Sequence, residues 1–276
     1  MYRRLGVEVA LLQRSPLLLP DWEPEISLEA RGVLEEEGVH VAMGVQVKEV
    51  RKGGDGGGNV VVTNLGEVEE DEILVVTGRR PNVDLNLTAA GVELNERGGI
   101  RVDEELRTSN PDIYAVGDVL GGRILEALAE KQGSITAENT LSNSHRKVDM
   151  LSVPRSVFIQ PNAAGVGLTE AEASKLYYIK SRVLRMEDVA KAKILGETRG
   201  LVKMIVDSGN WRIFGVHLIG ENGAEVVNEA ALALRLRTTV YDLVDTVHVF
   251  PTMAESLKLV AQSFFRDVRN MSCCVD

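Results

Sequence analysis

The feature that most constrains this chain is a succession of short branched-apolar runs set among glycine-bearing turns. Val7–Leu12, Val39–Val50, Asn59–Asn64 and Glu72–Thr77 each read as a strand. Between the first two, Ile26, Leu28, Ala30, Val33 and Leu34 recur at helical spacing, which predicts an amphipathic helix over 25–37. Gly38 stands where such a helix needs a left-handed stop. The glycine-rich stretch 53–58 is too permissive for anything but a turn. Strands and a helix this close together predict a layered α/β sheet of the nucleotide-binding kind.

The chain then changes character. Residues 84–109 read as loop, and Asp112–Asp118 as a short buried strand ending in Gly-Asp. Leu125, Leu128, Ala129, Gln132, Ile135 and Ala137 follow at helical spacing, and 148–154 reads as a linker. Beyond it, strands are predicted at 156–160, 164–168, 179–184, 201–206 and 213–219, with a hairpin turn at Gly209-Asn210. Helices are predicted at 224–235 and 253–268, so this part is an α+β module.

Composition narrows the function classes. Hydrophobic residues make up 44%, enough apolar content to bury a core and to argue against disorder. A net charge of −10 argues against a broad nucleic-acid surface, which needs clustered positive charge. No apolar run approaches the roughly 20 residues that cross a bilayer, and the N-terminus has no secretory pattern. Two cysteines are too few for a disulfide scaffold, so the expectation is a cytoplasmic α/β protein without nucleic-acid or membrane partners.

Three segments carry chemistry. Thr77-Gly78-Arg79-Arg80-Pro81-Asn82 makes a sharp turn after a strand, at the kind of sheet edge where α/β proteins take ligands, or a purely structural turn. In Thr108–Asp118, Gly117 allows close approach of a ligand; Asp118 accepts hydrogen bonds from sugar hydroxyls or caps the next helix. Cys273 and Cys274 are adjacent near the C-terminus. Their Cα atoms, about 3.8 Å apart across a trans peptide, are too close for an unstrained disulfide. Two soft thiolates suit a soft metal ion, the alternative being a frayed tail with incidental cysteines.

The segments Thr77–Asn82 and Thr108–Asp118, in this order, resemble the second nicotinamide-domain motif and the flavin-ribitol motif of the pyridine nucleotide-disulfide oxidoreductases. Val153-Pro154-Arg155-Ser156-Val157-Phe158, Val166–Ala173, Gly215–Gly220 and Glu225 are similar to that family's interface (dimerisation) domain. Phe250-Pro251-Thr252-Met253-Ala254-Glu255-Ser256-Leu257-Lys258-Leu259 with the Cys273-Cys274 tail resembles its mercury(II) reductase branch. The implied domains are 1–83, the later part of an NAD(P)-binding domain; 84–150, a returning FAD-domain segment; and 151–276, the interface domain.

The resemblance implies FAD and NADPH as cofactors and a homodimer, with helix 225–237 and segment 247–264 as contact surfaces. It implies Hg(II) as substrate, received by Cys273 and Cys274 and exchanged with small thiols and a redox cysteine pair of the other subunit. Gly78, Arg79, Gly117 and Asp118 would contact cofactor. Arg14, after the first strand, either neutralises the 2′-phosphate of NADP or faces solvent. The family's Gly-rich dinucleotide turn and Cys-x4-Cys pair do not occur in this sequence. It is therefore expected to be the C-terminal part of a longer enzyme, with no catalytic residue of its own and no activity alone.

Many relatives carry a His directly before the proline at 251 and a Glu five residues later, as a proton relay. Here Phe250 takes the His position while Glu255 keeps its place for a supporting role, with His248 two residues upstream. His40, His145 and His217 read as surface or locally hydrogen-bonded. The alternatives are another FAD/NAD(P) disulfide reductase of the dihydrolipoamide dehydrogenase type, or a non-catalytic dimeric soft-metal-binding fragment.

Overall fold

The computed structural model describes residues 1–54, 57–142 and 144–270, so Cys273 and Cys274 lie outside the described residues. The chain forms two compact units, one of residues 1–73 with 151 onward, the other of residues 74–150.

In the first unit, β1 (Ala10–Gln13) and β2 (His40–Met43) pair in parallel and are joined by α1 (Pro24–Glu36). Pro24 opens the helix where its missing N–H costs nothing. Gly38, at φ 82°, closes it in the left-handed conformation expected there. The run 39–50, expected as one strand, is two: Gly44 at φ 68° breaks it, and β3 (Val47–Lys52) turns away. β3 then forms an antiparallel sheet with β4 (Asn59–Thr63) and β5 (Gly66–Glu70).

Residues 74–150 have their own small core of Val92, Ile100 and Ala115, packed by Val83, Leu87, Val102 and Ile113. Helix α2 (Glu126–Ser142) buries Leu128, Gln132, Ile135 and Asn139. Two expected strands are absent here. Glu72–Thr77 forms no strand and has no ladder partner among the described residues, with Val75 and Val76 exposed; an apolar run becomes a strand only beside such a partner. Asp112–Asp118 makes one bridge, Arg107 to Tyr114, and then a 3-10 turn over Gly117–Leu120.

The remaining strands and helices belong to the first unit: β6 (Arg155–Val157), β7 (Asn162–Gly167), α3 (Glu170–Ala173), β8 (Ile179–Arg185) and α4 (Ala190–Leu195). They continue with β9 (Leu201–Asp207), β10 (Ile213–Gly220), α5 (Gly223–Leu236), α6 (Val240–Asp245) and α7 (Glu255–Gln262). An antiparallel sheet runs β6-β7-β10-β9-β8. At the β9–β10 hairpin, Asp207 Oδ1 accepts the N–H groups of Gly209 and Asn210, which fixes the expected turn. α7 is shorter than expected: the chain leaves it at Ser263, and Phe264 and Phe265 pack on Trp211.

The two central strands are covered on both faces, which is why they read as near-continuous apolar runs. Val202, Met204, Val216 and Leu218 belong to the cluster that includes Val226 and Val227 of α5 and Leu257 and Val260 of α7. Leu201 and Ile219, on the alternate face, cluster with Trp22, Ile26, Ala30 and Val33. No helix among the described residues is long and apolar enough to cross a membrane.

Candidate functional site

Gly78, Arg79, Gly117 and Asp118 all lie in the unit 74–150, and the structure brings their two segments together. A Cβ on Gly121 would sit 2.9 Å from Pro81 Cγ, so the turn 117–121 rests against the turn after Arg79-Arg80. That turn is also held from below. Asn95 Nδ2 donates to Leu120 O at 2.9 Å, Ile100 N donates to Val119 O at 2.9 Å, and a Cβ on Gly99 would lie 2.3 Å from Leu120.

Gly117 adopts φ 76° and donates its N–H to Gln132 Oε1 at 2.8 Å, with Ala129 of α2 against its Cα. Gln132 is 6% exposed, so a buried side chain of α2 fixes the orientation of the Gly-Asp turn. The helical spacing placed Gln132 on the inner face, but nothing in the sequence tied it to Gly117. Asp118 is exposed, and its carboxylate carries no hydrogen bond among the described residues. Gly78 adopts φ 115° and Arg79 is exposed beside it. A pre-set turn ending in an uncommitted carboxylate fits the hydroxyls of a sugar or ribityl chain, and an uncommitted guanidinium fits an anion.

Arg14 belongs to the other unit. It follows the carboxyl end of parallel strand β1, and its guanidinium is exposed without a partner among the described residues. Gln13 shapes the exit: its Nε2 donates to Leu18 O at 3.0 Å and its Oε1 accepts Arg14 N at 3.0 Å. A free cation at this edge fits a phosphate group.

Glu255 is the first residue of α7, and its Oε2 is buried without a hydrogen-bond partner among the described residues. Burial raises its carboxyl above the usual carboxylate range, against the opposing pull of His248 and Lys258. His248 does not take over the missing relay position. Its Nε2 lies 2.8 Å from Glu229 Oε1 on α5 and its Nδ1 lies 3.1 Å from Thr246 O. The Glu229 contact raises its pKa above the ordinary histidine value.

His217 corrects the expectation of a surface or local role. It is 1% exposed within β10, and its Nε2 donates to Leu168 O at 3.0 Å, far along the chain. Beside it in the ladder lies Lys203, also buried, bound to Glu23 Oε2 at 2.8 Å, Glu25 Oε1 at 2.8 Å and Glu170 Oε2 at 2.6 Å. The three carboxylates would otherwise be spaced to hold a metal ion; the Lys203 ammonium supplies the positive charge there. Burial favours loss of its proton, but the carboxylates outweigh it and raise its pKa. A lone lysine in the otherwise apolar run Leu201–Val206 was the sequence signal for this cluster.

Residues 1–138 match the pyridine nucleotide-disulphide oxidoreductase model and 153–261 match that family's dimerisation domain. Mercuric reductases from Lysinibacillus sphaericus and Staphylococcus aureus are 38% and 39% identical over 99% of this chain. The chain spans about half the length of these relatives, 51% of each. Among solved structures, the HOCl-induced flavoprotein disulfide reductase RclA from Escherichia coli superposes with TM-score 0.86 at 27% identity, over 96% of this chain and 61% of that one. LpdA from Mycobacterium tuberculosis gives 0.87 at 26% identity, over 96% of this chain and 58% of its own. The chain belongs to the pyridine nucleotide-disulphide oxidoreductase family, and its sequence sits with that family's mercuric reductases.

Proposed function

We propose that this chain is the C-terminal part of an FAD- and NADPH-dependent mercury(II) reductase, which reduces Hg(II) to Hg(0), and that it is inactive alone. The observation that carries the reading is sequence identity of 38% to a mercuric reductase over 99% of the chain. Cys273 and Cys274 would receive Hg(II) as substrate and, by thiol exchange, pass it on without releasing it.

The uncommitted Asp118 and the braced Gly117 support contact with the hydroxyls of FAD, and Gly78 and Arg79 support a place at the cofactor edge. The free Arg14 supports NADPH over NADH, through the extra phosphate. Bound flavin would supply the electrons; the chain's own residues bind, orient and screen. Glu255, whose carboxyl burial raises above the usual carboxylate range, would play a supporting role in proton handling near the interface end of α7. Exposed Leu232, Leu236, Val247, Val249 and Phe250 support a homodimer through α5 and segment 247–264.

Hg(II) titration of the chain in the presence of a competing small thiol tests the reading. One tightly held ion per chain, read from the thiolate–mercury absorption and absent from the Cys273→Ala/Cys274→Ala variant, is expected. Equal binding by that variant would overturn it.

A further inference from the structure

A row of polar groups crosses the interior face of the five-stranded sheet. Arg155 on β6 stands opposite Gly165 on β7, Gly165 opposite His217 on β10, and His217 opposite Lys203 on β9. One short segment faces this row. The Trp22 ring stacks under the Arg155 guanidinium at 4.4 Å, Arg155 also donates to Asp21 O, and Glu23 binds Lys203. Glu23 caps nothing in its own helix; its other carboxylate oxygen accepts the N–H of Glu170.

The imidazole of His217 has a buried ring nitrogen without a hydrogen-bond partner among the described residues. Because Nε2 donates to a carbonyl, Nδ1 carries the lone pair in the neutral ring. Nδ1 is buried with no hydrogen-bond partner among the described residues. A Cβ on Gly165 would be 2.6 Å from Nδ1 and 3.4 Å from Trp22 Cζ3, so imidazole and indole converge on the glycine.

We propose that Trp22, Glu23, Arg155, Lys203 and His217 form an acid-released latch that seats the start of α1 on the sheet. A proton added at Nδ1 creates an N–H with no acceptor among the described residues, beside the Arg155 guanidinium and the carboxylate-paired Lys203 ammonium. The charged groups around it are Glu23 and Glu25 from the start of α1, Glu170 from α3, Arg155 from β6 and Lys203 from β9, with Glu25 and Glu170 paired to Lys203. Glu23 favours the proton, the two cations oppose it, and burial opposes it most. Water reaches the new N–H only when Trp22 and Glu23 lift from the sheet, which frees the segment that follows Arg14. Burying a lysine–glutamate pair gains little stability over an apolar pair, so its use here fits a releasable contact.

The test uses the full chain with Trp211→Phe, which leaves Trp22 as its sole tryptophan. Acrylamide quenching of Trp22 is expected to rise about twofold or more as pH falls below about 6.5, while far-UV circular dichroism holds. The His217 ring, followed by NMR in the same protein, should titrate with the same midpoint. Glu23→Gln should lower that midpoint, and His217→Gln should abolish the transition. An unchanged transition in His217→Gln, a Trp22 signal flat across this range in the folded protein, or a His217 midpoint that does not coincide with Trp22 exposure would each overturn the latch.

Discussion

His248 Nε2 and Glu229 Oε1 lie 2.8 Å apart, joining the segment before cis-Pro251 to helix α5. The other ring nitrogen faces Thr246 O, so both nitrogens meet acceptors and only the imidazolium can donate to both. The raised folded value means that the contact stabilises fully below the unfolded value of about 6.5 and is lost as pH rises through the folded value. Glu229→Gln should cost about 1–2 kcal/mol at low pH and much less in alkali. Urea unfolding at two pH values checks this; equal loss at both would contradict it.

Lys203 and Glu23 make a second test. Lys203→Met alone strands a buried carboxylate and should destabilise by about 3–5 kcal/mol. Lys203→Met with Glu23→Leu removes the fully buried pair and should recover most of that loss, because Glu25 and Glu170, the other partners of Lys203, are partly exposed and keep water. Denaturation midpoints of the single and double variants measure the difference, and a double variant as unstable as the single would refute it.

Gln132→Leu removes the acceptor of the Gly117 N–H. The loss should be about 1–3 kcal/mol in the stability of the unit 74–150. Hydrogen exchange at Gly117 should accelerate by at least about tenfold, as about 1.4 kcal/mol requires. Unchanged protection would show that α2 does not brace the turn.

Arg14→Glu replaces the free cation after β1 with an anion. Selectivity for NADPH over NADH in the intact enzyme should fall by about tenfold or more, the worth of one charge-assisted phosphate contact. The ratio of kcat/KM for the two nucleotides reads it directly. An unchanged ratio would remove Arg14 from the nucleotide site.

His217 predicts an acid limit. Burial lowers its folded value below the ordinary one, so its contribution to stability is full above about pH 6.5 and lost as pH falls toward the folded value. His217→Gln should flatten the acid limb of a stability-against-pH curve; an unchanged limb would argue against it.

Local sequence was enough for the features that arise from near neighbours. Gly38 stops α1 and Asp207 turns the last hairpin, because φ preference and short-range hydrogen bonds act within a few residues. The unbroken apolar runs of β9 and β10 announced strands covered on both faces. Tertiary structure alone decided which apolar runs found a ladder: Glu72–Thr77 has the composition of a strand but no partner among the described residues. It also decided where charge is buried. Lys203 meets Glu23 and His248 meets Glu229 through contacts between distant parts of the chain, and local sequence patterns carry no information about such partners. The Gly-Asp turn lies between: its residues were legible as a motif, but its bracing by Gln132 and Asn95 came only from packing.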